Sequence, residues 1–208
     1  MTTDHHFYEP ATGHRLAHDP INAIVGPRPI GWISTRSAAG VRNLAPYSFF
    51  NLFNYKPPII GFASVGWKDN VANIAETGEF VWNLATRALA EVMNTSAAMV
   101  GPEVDEFDLA GIEALPSRLV KPDRVAASPV QLECRATQTL RLETKEGQAV
   151  DTWVVFGEVI GVHIAPDMLE DGVYQTGRAR PILRGGGPAD YFEVGDENLF
   201  RMRRPDQP

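Results

Sequence analysis

The chain has 208 residues, 44% of them apolar and 22% charged, which allows one well-buried core and leaves little room for two large domains. Its formal net charge of −7 argues against a dedicated nucleic-acid binder, because such proteins present a basic surface to phosphates. Cys134 is the only cysteine, so intrachain disulfides and cysteine-rich zinc or iron–sulfur sites are excluded. We therefore predict a single domain over residues 1–208.

Both ends of the chain are predicted to be irregular. Residues 1–20 show little periodicity and form an N-terminal arm, while residues 193–208, which include the basic run at 201–204, form a solvated tail. The start of the chain lacks a basic stretch followed by an apolar one, and no segment is long and apolar enough to cross a bilayer. We expect a cytoplasmic protein with no membrane partner.

His14 and His18 in the arm have the spacing of metal ligands on a helix. No acidic third ligand stands beside them on a credible helix, so we predict no metal site.

A β-hairpin is predicted after the arm. Residues 29–35 are apolar or small and include the β-branched Ile30 and Ile33, residues 36–40 offer a turn, and residues 41–50 return. Residues 57–66 predict a third short strand.

A short helix is predicted next, within residues 68–80. Val71, Ile74 and Ala75 fall on one helical face, Asp69 is the expected N-cap, and Gly78 the expected residue just past the helix end.

The second half of the chain is dominated by β signals. Residues 79–86 predict a fourth strand, residues 87–98 a second helix, and residues 101–128 a long excursion with one helical turn. Residues 130–142 alternate between apolar and polar, as in a strand with one face in a core, whereas residues 152–164 are apolar on both faces and predict a central strand. Six or seven strands with short connections favour a mainly β fold, an antiparallel barrel with peripheral helices.

Polar side chains are dense at the ends of the first three strands. Ser34, Thr35, Asn43, Ser48 and Asn51 alternate with aromatic residues, a mixture that suits a flat heteroaromatic ligand. Asn and Ser residues that cap turns beside an ordinary aromatic core would give the same pattern, and both interpretations remain open.

The start of the predicted helix offers an anion site. Ser64, Lys68 and Asn70 lie just before or within its first turn, where backbone N–H groups and the helix dipole favour negative charge. An ordinary surface lysine is the alternative.

Several longer strings, taken together, give the chain a family resemblance. They include RPIGWIST, NLAPYSFFN, PPIIGFASVGWKDNVANIAETGEFVWNLAT, MNTSAA, EVDEFDLAG and FGEVIGVHI, within residues 5–192. The chain resembles the flavin reductase-like, FMN-binding split-barrel family, which includes flavoredoxin-like proteins. The resemblance implies an antiparallel, Greek-key type split β-barrel and a homodimer that binds FMN near the subunit interface.

The resemblance also implies which residues hold the cofactor. The flavin ring would lie along NLAPYS, and the phosphate would lie near the start of the helix, where Asn70 stands in place of the family's usual Thr. The predicted FMN-binding residues are Trp32, Ser34, Thr35, Asn43, Ala45, Pro46, Tyr47, Ser48, Asn51, Ser64, Lys68, Asn70 and Asn73.

Two further residues have open roles. His163 is the one candidate catalytic residue, which would position the nicotinamide or the flavin ring; a strand-end histidine bonded to backbone is the alternative. Tyr191 would close over the site or simply pack in the C-terminal region.

The function implied is an NAD(P)H:flavin oxidoreductase, with hydride passing from NADH or NADPH to N5 of FMN and no side chain acting as acid or base. An alternative is an FMN-containing electron-transfer protein, and a third is a split-barrel module without flavin. A monooxygenase or another electron acceptor is a candidate partner.

Overall fold

The computed structural model describes residues 5–205. Its regular elements in chain order are α1 (Ile21–Ile24), β1 (Arg28–Pro29), β2 (Gly31–Arg36), β3 (Arg42–Tyr47), β4 (Phe50–Tyr55), β5 (Pro58–Val65), α2 (Asp69–Thr77), β6 (Glu79–Asn83), α3 (Ala90–Thr95), α4 (Glu106–Leu109), β7 (Ala114–Leu115), β8 (Arg124–Val125), β9 (Val130–Glu143), β10 (Ala149–Ile164), β11 (Leu169–Glu170), β12 (Val173–Tyr174), β13 (Ile182–Arg184) and β14 (Tyr191–Glu193). Within this part of the chain no helix is long and apolar enough to span a membrane.

One seven-stranded sheet organises the fold, in the order β3-β2-β6-β9-β10-β5-β4. Every neighbouring pair in it is antiparallel. The predicted hairpin is confirmed as β2 and β3, and the strand predicted to be central, β10, pairs on both sides, with β9 and β5. Small sheets of two or three strands lie beside it, in the orders β1-β13-β14, β7-β8 and β11-β12.

Strand β2 is covered on both faces because its alternate side chains enter two different cores. Ile33 belongs to a cluster with Val71 and Ile74 of α2. Trp32 belongs to a second cluster with Met93 of α3 and others. Polar residues on β2 are consequently buried as well, and their hydrogen bonds matter for the site described below.

Helix α2 begins one residue earlier than predicted. Asp69 is its first helical residue, and Lys68 is the N-cap, with no side chain bonded to the cap position, so the prediction of Asp69 as the cap was wrong. The predicted end is confirmed: Gly78 has φ 72°, and its N–H bonds to Ile74 O at 2.8 Å. Glycine adopts this left-handed conformation without steric cost.

The alternation predicted for residues 130–142 holds only in part. Cys134 is buried as expected, but Gln131 and Glu133 on the supposed polar face are buried too, while Leu140 and Leu142 are each 38% exposed. The excursion between α3 and β9 covers the first half of β9, since backbone groups at 118–120 and 125 bond to these two side chains. The second half extends beyond β6 and pairs only with β10.

Candidate functional site

A cavity of about 420 Å³ opens where β3, β5, the start of α2 and the loop after α3 meet. This volume lies in the range of small-molecule and cofactor pockets. Its walls combine apolar and aromatic side chains with a few polar groups. The lining residues are Asn43, Ala45, Pro46, Tyr47, Ser48, Phe49, Ala63, Val65, Lys68, Asp69, Asn70, Ser96, Ala97, Ala98, Met99, Val100 and Glu106.

The N-terminus of α2 faces this cavity. The first bond within the helix runs from Ala72 N–H to Lys68 O at 3.0 Å, so the N–H groups of residues 69–71 have no partner inside the helix. No side chain caps them. The Lys68 side chain is exposed and makes no ion pair among residues 5–205. This end of the cavity therefore combines free N–H donors with a cation, which suits an anionic group.

The cavity wall also carries a buried acceptor without a donor. Asn43 is 7% exposed, and its Nδ2 donates to Glu106 Oε1 at 2.8 Å. Its Oδ1 is buried and has no hydrogen-bond partner among the described residues. Glu106, 4% exposed, also accepts from Leu44 N–H at 3.0 Å, and burial raises the pKa of its carboxyl. An unpaired buried oxygen costs free energy, which a ligand donor would recover.

Tyr47 forms part of the cavity floor. Its ring packs on Phe62 with centroids 4.6 Å apart, and its hydroxyl lies near Asn70 and Ser64. Burial raises the pKa of Tyr47 to about 12, because the phenolate would be desolvated. The hydroxyl is thus a neutral group near the start of α2.

Several of the predicted FMN residues bond to one another and hold α2 against β2. Thr35 Oγ1 donates to Asn70 Oδ1 at 2.7 Å and accepts from Asn73 Nδ2 at 3.0 Å. Asn70 Nδ2 donates to Ile33 O at 3.3 Å. Of these, only Asn70 lines the cavity. Thr35 and Asn73 thus position the anion-facing helix rather than face the cavity.

Four more predicted residues lie away from the cavity lining. Trp32 is fully buried and donates from Nε1 to Ser96 Oγ at 3.0 Å. Ser34 Oγ donates to Asp123 O, and Ser64 Oγ to Gly66 O at 2.9 Å. Asn51 is exposed, and its Oδ1 accepts from Leu52 N–H. The six predicted residues that line the cavity besides Asn70 are Asn43, Ala45, Pro46, Tyr47, Ser48 and Lys68.

His163 lies at the other end of β10. Val65, on the cavity wall, pairs with Thr152, and His163 follows eleven residues later, about 36 Å along a strand at ~3.3 Å per residue. Its Nε2 bonds to the buried Glu133 Oε1 at 2.5 Å, a carboxylate rather than the backbone. Tyr191 also lines a different cavity, and Arg184 lies over its ring. Neither side chain reaches the flavin-sized cavity within one chain.

The N-terminal histidines do not lie on a helix. His14 Nδ1 accepts from Leu16 N–H at 3.0 Å, in an irregular segment. Across residues 5–205 no three His, Cys, Asp or Glu side chains are grouped so that they could hold a metal ion.

Sequence reasoning assigned no role to the loop after α3 and to Glu106. The loop, residues 96–100, forms one wall of the cavity, and Glu106 fixes the Asn43 amide across 63 positions of sequence. The string MNTSAA overlaps this loop, and EVDEFDLAG contains Glu106. Only the folded chain brings these segments close to the NLAPYS segment, residues 43–48.

Comparison with known proteins fits this architecture. Residues 26–183 match the family model described as flavin reductase like domain. An uncharacterized protein of Deinococcus radiodurans is 37% identical over 203 residues, 92% of this chain and 86% of its own. Nitrilotriacetate monooxygenase component B from Bacillus cereus superposes with a TM-score of 0.80 at 26% identity, covering 90% of this chain and 98% of its own.

A split barrel domain protein from Shewanella frigidimarina superposes with a TM-score of 0.79 at 20% identity, covering 89% of this chain and 90% of that one. This likeness, with the large antiparallel sheet and peripheral helices, confirms the predicted split-barrel fold. The family match covers most of the chain and indicates a flavin-related oxidoreductase. The chain belongs to the family of flavin reductase-like domains.

Proposed function

We propose that the cavity binds FMN and that the protein is an NAD(P)H:flavin reductase. The observation that carries the cofactor assignment is the unpaired, buried Oδ1 of Asn43 on the cavity wall. A flavin has ring and ribityl donors that would satisfy this acceptor, and its phosphate suits the uncapped start of α2 beside Lys68. Family membership supports the same reading.

FMN, when bound, would supply the redox chemistry by accepting a hydride at N5 from NADH or NADPH. The side chains around the cavity would bind and orient the flavin, and they would not transfer protons. Tyr47 keeps its proton because its pKa is about 12, and both oxygens of Glu106 are occupied by Asn43 and Leu44. The backbone of β3, with Ala45, Pro46 and Ser48, would follow the flavin edge.

The rim of the cavity leaves room for a second, flat substrate. Phe49, Val65 and Met99 line the cavity and are 42%, 59% and 98% exposed. An exposed apolar rim suits the nicotinamide ring, which must approach one flavin face closely for hydride transfer.

A homodimer is part of the proposal. Strand β4 lies at the edge of the large sheet, and its Leu52, Phe53 and Tyr55 are 53%, 59% and 75% exposed. Adjacent apolar side chains on an open edge strand favour pairing with another surface, and a second copy of the chain supplies the same patch.

A monooxygenase is the proposed acceptor of the reduced flavin. The support is the similarity to a protein named nitrilotriacetate monooxygenase component B. Another electron acceptor would dock over the same open rim.

An absorbance spectrum with added FMN, followed by consumption of NADH and NADPH, tests this function. We expect a flavin spectrum and turnover with one or both nucleotides. Bound FMN with very slow turnover would instead favour an electron-transfer protein, and a colourless protein indifferent to flavins would overturn the proposal.

Lys68→Ala tests the phosphate end separately. We expect FMN to bind about tenfold more weakly and riboflavin to bind unchanged, because only FMN has the phosphate that the cation would contact. Lys145→Ala, in the exposed turn between β9 and β10, is the matched control. Equal losses for FMN and riboflavin would contradict the assignment.

A further inference from the structure

A second cavity of about 390 Å³ lies at the end of β10 that is remote from the flavin cavity. It is lined by residues from β7, β8, the start of β9 and the end of β10, and it shares no lining residue with the flavin cavity. Its lining includes Arg118, Arg124 and His163 and contains no Asp or Glu. A cationic cavity stands out on a chain whose formal net charge is −7.

Neither arginine is neutralised by a carboxylate. The Arg118 guanidinium makes no hydrogen bond or ion pair with any residue from 5 to 205. Arg124 bonds only to neutral acceptors: its Nε and Nη2 donate to Pro116 O at 3.3 and 3.2 Å, and its Nη1 donates to Gln131 Oε1 at 3.1 Å. These three contacts leave two of the five N–H donors of Arg124 without a partner in the described chain.

The position of Arg124 is set by a buried amide. Gln131 is 4% exposed, and its Nε2 donates to Val125 O at 3.1 Å and also to Ser128 O. These donations fix the amide orientation, so its oxygen must face Arg124. The guanidinium is thereby held in place before any ligand arrives, which lowers the entropic cost of binding.

Glu133 lies beneath this cavity but does not neutralise the arginines. It is fully buried, and its oxygens accept from the N–H groups of Arg118, Leu119 and Val120 at 2.8, 2.6 and 3.1 Å and from His163. Its charge is compensated by the backbone and by the imidazole. The side chains of Arg118 and Arg124 remain available to a ligand.

Part of the remaining wall is apolar, although Ser128 and Gln131 also line the cavity. Leu115, Val162 and Ile164 line the cavity and are 36%, 57% and 38% exposed. We propose that this cavity is a binding site for a small organic acid, whose carboxylate bonds to Arg118 and Arg124 and whose apolar body lies against these three side chains. Arg guanidinium groups match the geometry of a carboxylate, and such charge-assisted bonds are strong.

Calorimetric titration with benzoate tests the site. We expect saturable binding of one benzoate per chain, weaker binding of acetate, which lacks the apolar body, and unchanged benzoate affinity when FMN is saturating. The site is independent of the proposed function, because benzoate binding requires no flavin.

Arg118→Gln and Arg124→Gln should each weaken benzoate binding about tenfold or more, since each removes a charged hydrogen-bond donor. The Arg118 side chain has no partner in the described chain, so its loss should not affect folding even if Arg124→Gln loosens the β7–β8 region. Arg141→Gln, which removes the same charge from the far part of the β9–β10 hairpin, should leave the affinity unchanged.

Four results would overturn the proposal or the role of its apolar wall. The first three are the absence of saturable benzoate binding, competition between benzoate and FMN, and an equal loss of affinity in Arg141→Gln. Binding of inorganic phosphate as tight as that of benzoate would equally refute the role of the apolar wall.

Discussion

Glu106→Gln is the substitution that best tests how the flavin cavity is built. The carboxylate accepts from Asn43 Nδ2 at 2.8 Å and from Leu44 N–H at 3.0 Å, and it forms no ion pair among residues 5–205. An ionised carboxylate only accepts hydrogen bonds, so the Asn43 amide must donate from Nδ2 to Glu106, and its Oδ1 is left without a partner among residues 5–205. Glutamine keeps one oxygen for Leu44 N–H and turns an NH₂ group towards Asn43. The Asn43 amide then has to rotate and present its NH₂ to the ligand.

We expect this substitution to lower FMN affinity without lowering folding stability. A ligand donor that paired with Asn43 Oδ1 would lose its acceptor, which costs about 1–3 kcal/mol, or about 5- to 150-fold in FMN affinity. Folding stability at neutral pH should instead stay the same or rise, because burial raises the pKa of Glu106 and so disfavours its charged form in the folded state.

Flavin fluorescence quenching measures the affinity, and urea unfolding of the flavin-free protein measures the stability. Glu91→Gln, in the first turn of α3, is the matched control with the same change of charge. FMN binding as tight in Glu106→Gln as in the unmodified protein would refute the reasoning. A loss of stability and affinity together would indicate that the residue only holds the fold.

Three further substitutions test the surrounding structure. Ser96→Ala leaves the indole N–H of the fully buried Trp32 without its acceptor. We expect urea unfolding to show a free energy of unfolding lower by about 1–3 kcal/mol. A stability equal to that of the unmodified protein would argue that water replaces the hydroxyl. In Gly157→Ala the new Cβ would overlap the ring of Phe80, so the free energy of unfolding should fall by about 1–3 kcal/mol. An unchanged melting temperature would contradict the close packing of β10. For Glu133, burial alone would raise the carboxyl pKa, but the Arg118 N–H and His163 outweigh it and lower the pKa. The stability that the Glu133 carboxylate contributes is therefore fully present above the ordinary glutamate pKa, and it is lost as the pH falls through the lowered pKa of the folded state. Urea unfolding should show that the free energy of unfolding of Glu133→Gln falls less steeply with decreasing pH than that of the unmodified protein. An identical pH dependence in the two proteins would disprove the assignment.

Elements whose signals are local could be predicted from the sequence. The hairpin of β2 and β3 follows from β-branched residues around a turn, and the end of α2 follows from Gly78, where a positive φ is required. The burial of Gln131 and Glu133 could not be predicted, because the backbone groups that satisfy them belong to an excursion with no periodicity of its own.

The candidate site was predicted less completely than the fold. A polar residue in a β-rich segment signals that some partner must exist, but the residue type does not tell whether that partner is a ligand or a neighbour. Thr35 and Asn73 bond to each other, whereas Asn43 keeps an acceptor free. The difference arises because Asn43 meets a side chain that is distant in sequence, Glu106.

A buried carboxylate beside a proposed anion site needs a physical reason, because Asp69 and Glu106 together oppose the single cation Lys68 on the cavity wall. Charge alone therefore cannot hold a phosphate there, and the three free N–H groups at the start of α2 must carry much of the interaction. Glu106 can be tolerated because it bonds to Asn43 and Leu44 and so joins α4 to β3. A neutral residue would remove the repulsion, but it would release the amide whose orientation the ligand requires.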